Sequence, residues 1–371
     1  GFGVTSCRAL RSALESRGHR VSTIAPSMAT PSRRSRIETL LRTYTTICDR
    51  TADEQPDAVV LFHILHTLPA ELRRAMADLQ LGTRLIGYSH GSHWDPTDRY
   101  REEVYPGFAL ADLANLACLD DILLVSEYMK ESLVEHISEL NPALARRLEE
   151  RMHVVGLPID TTALDHAMAS RDDNTLDVLF NHALIPAKRP DVFVAAARIV
   201  LDRYDFVTVT MTRRAPNPGP IEHSVQRLQA DYGSRVRLGN DLDVETYFRL
   251  LWRTAVQVST AEHESLGLGT LEAMYAGVCC VLPDRCCYPE IVGPVREALY
   301  EPGLDGLVAA LVQAIDKTEF RSAVGGRLQE QARRYAPEVV AARVSNVLDN
   351  PRAGSWFLRR ADWRESGCEP R

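Results

Sequence analysis

Short apolar runs alternate with longer stretches whose apolar residues recur at helical spacing, and the alternation continues along nearly the whole chain. "DAVVLF" (57–62), "TRLIGYS" (83–89) and "DILLVS" (121–126) read as buried strands. The helical patterns "AELRRAMADL" (70–79) and "EYMKESLVEHISEL" (127–140) separate or follow them. A polar stretch without periodicity, "ASRDDNT" (169–175), interrupts the pattern. It restarts with "LDVLFNH" (176–182), "FVTVTMT" (206–212), "VRLG" (236–239), "AVQVST" (255–260) and "VCCVLP" (278–283). Near-continuous apolar strands separated by helices predict parallel sheets covered on both faces. The expected class is therefore α/β, with an N-terminal domain over 1–168 and a C-terminal domain over 169–350. A tail, 351–371, is expected to cross back to the first domain.

The N-terminus breaks the rule. "GFGVTSCRALRSALESRGHRVSTIAP" reads as a glycine loop, a helix and a strand over "RVSTIAP" (20–26). A glycine loop of this kind ordinarily follows a strand, and the sequence starts at Gly1, so either that strand lies before it or the first sheet lacks a member. Near the other end, "QEQARRYAPEVVAARVSNVL" (329–348) reads as a helix of the second domain.

Composition narrows the function classes. With 371 residues, 45% hydrophobic and 25% charged, the chain is long enough for two ordinary globular domains. No apolar run reaches the roughly 18 to 20 residues that cross a bilayer, and no charged-then-apolar leader is present. A cytoplasmic protein is expected. The net charge of −7 disfavours broad phosphate-backbone binding and so disfavours tRNA as a partner, although a local basic patch is compatible with it. Such a patch exists in "PSRRSRIETLLRTYTTICDR" (31–50), where Arg33, Arg34, Arg36 and Arg42 interleave with apolar residues. A solvated helix is the simplest reading, with peripheral membrane contact or a phosphorylated or nucleic-acid acceptor as alternatives. The eight cysteines are too dispersed for a disulfide scaffold. In "CCVLPDRCC" (279–287), neighbours on a strand point to opposite faces, which argues against a zinc site.

The densest chemistry lies in "VSTAEHESLGLGTLEAMYAG" (258–277). The strand candidate "AVQVST" (255–260) runs into it, and a helix starts near Gly269 and stops at Gly277. Gly267 and Gly269 let a backbone approach a ligand, and the free amides of a helix start suit an anion such as a diphosphate. Glu264 and Glu272 flank that start, placed to accept hydroxyl hydrogen bonds. The residues alone equally allow an exposed loop glutamate and a helix-dipole partner.

The E-x7-E pair Glu264/Glu272, with its flanks "STAEHE" and "YPEI", resembles the donor-site signature of retaining glycosyltransferases of family 4. Within that family it is most similar to the branch of the tRNA-queuosine mannosyltransferases. The resemblance implies the GT-B fold, two Rossmann-like parallel-sheet domains facing each other across a cleft. It implies a hexosyltransferase that moves a sugar, with retention of configuration, from a UDP-, GDP- or dTDP-sugar to an acceptor hydroxyl. The nucleotide-sugar is a co-substrate; no permanently bound cofactor and no metal are implied. By the same resemblance Glu264 contacts the transferred sugar near the reacting carbon and Glu272 holds the ribose. The backbone at Leu266, Gly267 and Leu268 binds the diphosphate, His90 of "LIGYSHGSHWDP" acts near the reacting centre, and Gly3 belongs to the glycine loop facing the donor.

One position departs from the signature. In "NHALIPAKRPD" (181–191) Lys188 stands at the family's lysine position, but Ala183 stands where an arginine is expected. Arg189 and Arg213, with Arg214, are candidate substitutes for that phosphate clamp, each with a plain surface reading beside it. Asn240 and Asp241 fall where relatives read the nucleobase, or else where acidic residues cap the next helix. The acceptor is expected to be a small natural product or nucleoside, and the Arg- and Ala-rich style suggests a bacterial origin. The rivals are a tRNA-queuosine mannosyltransferase-like enzyme and a non-catalytic nucleotide-sugar-binding protein, the latter because of Ala183.

Overall fold

The computed structural model describes residues 2–24, 33–64, 68–79, 81–95, 97, 107–170, 176–213, 219–240 and 242–350. They form two separate parallel sheets. The first has four strands in sequential order: β1 (Ala58–Leu61), β2 (Arg84–Ser89), β3 (Asp121–Leu124) and β4 (Met152–Val154). The second comprises β5 (Leu176–Phe180), β6 (Val207–Met211), β7 (Val236–Leu238), β8 (Val256–Val258), β9 (Cys279–Pro283) and β10 (Leu299–Tyr300). Its spatial order is β10-β9-β8-β5-β6-β7.

Every ladder is parallel, as the apolar runs predict. β5, β6 and β9 are buried at every position, because helices cover both faces and leave no side to alternate toward water. The helix Pro190–Arg203 packs Phe193 onto Phe180 of β5, with stacked rings 4.5 Å apart. The strands β4, of three residues, and β10, of two, were not anticipated.

Three expectations need correction. The segment read as a glycine loop is the first turn of the helix Phe2–Ser16, with Gly3 inside it. Glycine's penalty in a helix is backbone entropy, roughly 0.5–1 kcal/mol relative to alanine, which a 15-residue helix tolerates at one position. The strand expected at 20–26 does not form over 20–24, where no described strand offers a ladder; 25–26 lie outside the described residues. The stretch 329–348 is not one helix. Thr318–Ala332 gives way to a 3-10 turn, Arg333–Tyr335, and a new helix begins at Pro337. Proline disfavours a helical residue before it, and Ala336 is extended at ψ 147°.

The chain divides into two compact units: Gly1–Leu10 with Gly156–Val340, and Arg11–Val155 with the chain from Ala341 on. In the second unit, Arg84 donates to the carbonyls of Val347 and Leu348, both at 3.0 Å, and Arg17 and His19 reach Ser345. The tail 351–371 lies outside the described residues.

Candidate functional site

In the six-stranded sheet the strand order reverses between β5 and β8, which run side by side with Val178 opposite Val256 and Leu179 opposite Gln257. In open α/β sheets such a reversal opens a crevice beyond the carboxyl ends of the two strands. Two segments leave those ends here. Asn181 and His182 follow β5 and lead to the 3-10 turn Pro186–Lys188. The loop 259–267 follows β8 and leads to the helix Leu268–Tyr275.

The two segments are tied together. Thr260 Oγ1 donates to the carbonyls of Lys188 (2.7 Å) and Arg189 (2.8 Å), and the Glu262 amide donates to Ala187 (2.9 Å). The Lys188 ammonium donates to the His263 carbonyl (2.5 Å) and to Glu264 Oε2 (2.9 Å). His182 Nδ1 lies 3.9 Å from the same Glu264 oxygen. Gly267 adopts φ +77°, the left-handed region open to glycine, and serves as the N-cap of Leu268–Tyr275 with no side-chain cap. The amides at Leu268 and Gly269 therefore stand at an uncapped helix start, where the helix dipole favours an anion.

The two glutamates of the signature have opposite electrostatics. Burial alone would raise the Glu264 carboxyl, but the Lys188 ammonium and then His182 outweigh it and hold Glu264 below the ordinary carboxylate range. Burial drives Glu272 up to about 8; the Tyr247 hydroxyl and Arg213 oppose this and Asp160 adds to it. Glu272 is 1% exposed, and its Oε2 has no hydrogen-bond partner. Such an acceptor fits a ligand that brings hydroxyl donors. Glu264 is thus charged at neutral pH while Glu272 is mostly protonated, the divergence expected of carboxyls with different tasks.

The other anticipated residues fall in three groups. Arg213 follows β6, and its charge acts on Glu272 and Tyr247, so it belongs to this cluster. Arg189 is engaged by Glu262 (2.6 Å) and Asp191 (2.8 Å), ion pairs that hold its guanidinium strongly protonated. Asn240 follows β7, while Asp241 and Arg214 lie outside the described residues. In that loop it is Asp243 that caps the helix Val244–Arg253, accepting from the Thr246 amide at 2.8 Å.

His90 sits in the other compact unit, directly after β2. Its ring meets Phe62 (4.8 Å), Tyr88 (5.1 Å) and His63 (5.7 Å) edge-on, and its Nε2 is buried without a partner. Burial, then His63, lowers its pKa to about 4, so the ring is neutral at physiological pH. His182 behaves alike: burial and then Lys188 lower it to about 4, and its Nε2 is also buried without a partner.

Sequence reasoning passed over His182, Asn181, Tyr247 and Gln257. The signal for the first two was present, since "NH" places polar side chains at the carboxyl end of an apolar strand. Tyr247 gave none, because it shares the buried face of its helix with Phe248 and Leu251. Among the described residues no group of His, Cys, Asp or Glu is arranged to hold a metal ion.

HepE from Anabaena, solved with UDP and glucose, superposes with a TM-score of 0.66 over 92% of this chain and 89% of its own, at 13% identity. The fold is GT-B. An Escherichia coli trehalose-6-phosphate structure bound with UDP-2-fluoro glucose shares the GT-B architecture, with a TM-score of 0.66, 13% identity and 86% and 80% of the two chains covered. So does a Listeria monocytogenes chain assigned as a UDP-N-acetylglucosamine 2-epimerase, with a TM-score of 0.60, 15% identity and 97% and 94% covered. In sequence, the chain is 29% identical to the Drosophila melanogaster tRNA-queuosine alpha-mannosyltransferase over 131 residues, 35% of this chain and only 33% of that protein's length. No protein-family model matches the chain.

Proposed function

We propose that this chain is a glycosyltransferase that binds a nucleoside-diphosphate sugar at the β5/β8 crevice and passes the sugar to an acceptor hydroxyl with retention of configuration. The observation that carries the reading is the pair of carboxyls on either side of an uncapped helix start. One is charged and paired with Lys188; the other is buried with a free acceptor oxygen. In this reading Glu272 takes the ribose hydroxyls and Glu264 the sugar hydroxyls. The diphosphate lies over the amides after Gly267. It competes with Glu264 for Lys188, whose ammonium then stabilises the departing phosphate.

The reaction breaks the bond between the anomeric carbon and the phosphate oxygen and forms a bond to the acceptor oxygen on the same face. The acceptor's proton passes to the leaving phosphate. His90, neutral at pH 7, is proposed to hydrogen-bond near the reacting centre rather than to carry charge. Arg213, whose charge acts on Glu272, is proposed for the role of the arginine absent at Ala183, and Arg189 is held by Glu262 and Asp191. UDP is the first nucleotide to test, given what HepE and the E. coli structure were solved with. A small natural product or nucleoside is the proposed acceptor class.

The test is product analysis with UDP-, GDP- and dTDP-sugars and an acceptor panel, with the anomeric configuration read by NMR. Transfer with retained configuration supports the proposal. Interconversion of a UDP-sugar with its 2-epimer would instead favour the chemistry assigned to the Listeria neighbour. Binding without turnover would favour the non-catalytic reading that Ala183 raises.

A further inference from the structure

The loop 259–267 leaves β8 between two neighbouring strands, β5 on one side and β9 on the other. Thr260, Glu262 and Lys188 tie it to the β5 side. On the β9 side the contacts converge on Ser259, which is fully buried. Its amide donates to the Val281 carbonyl of β9 (3.0 Å), and its carbonyl accepts from the Tyr300 hydroxyl of β10 (2.9 Å). Its own hydroxyl accepts from the Ala261 amide (3.2 Å) and shares a 2.5 Å hydrogen bond with the hydroxyl of Tyr288, itself fully buried. Every polar atom of Ser259 is thereby engaged. Burial, then the charge of Glu264, pushes the Tyr288 phenol above its ordinary range, and burial raises Tyr300 likewise, so both stay neutral hydroxyls. Two residues before Tyr288, the Cys286 thiol donates to the Glu262 carbonyl at 3.3 Å. The Tyr288 ring also reaches the far end of the loop. A Cβ built on Gly267 would stand 3.5 Å from Tyr288 Cε1 and 3.5 Å from Glu264 Cγ. One side chain therefore meets the loop at Ser259, where it begins, and near Gly267, where the helix Leu268–Tyr275 is capped.

We propose that Tyr288 and Tyr300 are positioning residues that brace the loop from Ser259 to Gly267, so that Glu264 is presented to the transferred sugar. The presentation of Glu264 rests on the function proposed for the site; the bracing of the loop does not. Tyr288→Phe removes the bond at Ser259 but leaves the ring near Gly267 in place. The sugar contact at Glu264 therefore suffers more in that variant than the diphosphate and ribose contacts from Gly267 onward.

The bracing is read without ligand, by hydrogen exchange and mass spectrometry on the whole chain. The proteins compared are the wild type, Tyr288→Phe, Tyr300→Phe, Ser259→Ala and the double variant Tyr288→Phe/Ser259→Ala. Losing one buried hydrogen bond is expected to speed exchange of the amides from 260 to 267 about five- to tenfold in each single variant, with β5 and β6 at wild-type rates. Because the Tyr288 hydroxyl acts through Ser259, the double variant is expected to match Ser259→Ala. Acceleration spread evenly over the chain, a loop that exchanges as in the wild type, or a double variant in which the two effects add overturns the bracing. Tyr300→Phe and Ser259→Ala carry the same test should Tyr288→Phe not fold. Calorimetry then reads the presentation of Glu264, using UDP, GDP and dTDP beside their glucose, mannose and N-acetylglucosamine conjugates. For the pair that the wild type binds, Tyr288→Phe is expected to lose about tenfold in affinity for the sugar nucleotide and less than about twofold for the free diphosphate. Equal losses, or a wild type that binds free diphosphates but no conjugate, contradict that presentation. No binding of any of these ligands by the wild type overturns the donor-site reading and the presentation of Glu264 together, leaving the bracing to be decided by exchange alone.

Discussion

Replacing Glu272 with glutamine should stabilise the protein at neutral and alkaline pH while weakening the site. The carboxyl sits at about 8 in the folded chain against an ordinary value of 4.5. The sign follows from proton counting. Between those values the folded state holds a proton that the unfolded state has released, so stability is greatest below 4.5 and falls as pH rises toward 8. Each pH unit in that window costs about 1.4 kcal/mol, giving roughly 3 kcal/mol at pH 7 and an upper bound near 5 kcal/mol above pH 8. Glutamine keeps the shape and the neutrality of the protonated acid and pays none of this. Urea midpoints of both proteins at pH 5, 7 and 9 check it: the curves should nearly meet at pH 5 and diverge with rising pH in favour of the variant. Parallel profiles, or a variant less stable at every pH, would refute the claim that this carboxyl is buried without adequate compensation. The trade of stability for an unsatisfied acceptor is one that binding sites commonly make.

Further outcomes follow from the same geometry. Gly267→Ala should cost about 1 kcal/mol in denaturant unfolding, because φ +77° is strained for alanine although the nearest atoms, at 3.5 Å, leave room for its Cβ. His182 and His90 are both held near 4 against an ordinary 6.5, so their contribution is complete above pH 6.5 and is lost as pH falls toward 4. Acid titrations of stability should lose up to about 3 kcal/mol of slope over that window in His182→Gln, and a slope equal to the wild type's would contradict the assigned burial. Lys188→Ala leaves Glu264 without its ammonium, so nucleotide affinity should fall on the order of 100-fold by calorimetry, with little change if Lys188 serves only the fold.

The sequence made most of the second sheet legible because its strands are apolar on both faces and sharply bounded. The E-x7-E block was legible for a local reason: all its parts lie within one strand, loop and helix. What escaped notice lay elsewhere in the chain. Tyr247 comes from a helix that reads as ordinary amphipathic packing, and only the folded sheet order brings it to Asn181 and Glu272. The glycines at the N-terminus misled for the opposite reason. Gly3 matched a loop glycine by type, whereas the residues Phe2–Ser16 form one helix that includes it. The break at Pro337 was readable from the proline itself but was overridden by the apolar spacing around it. Arg189 looked available in sequence; Asp191, two residues on, is a local partner, but that Glu262 also holds it depends on a loop contact between β8 and β5 that no spacing encodes.

The most direct test of the central claim is calorimetric titration of the whole chain with UDP, GDP and dTDP at pH 7.5, repeated on Glu272→Ala. One nucleotide should bind in preference to the others, and its affinity should fall sharply in the variant. Binding of none, or equal binding to both proteins, would contradict a nucleotide site at the carboxyl ends of β5 and β8.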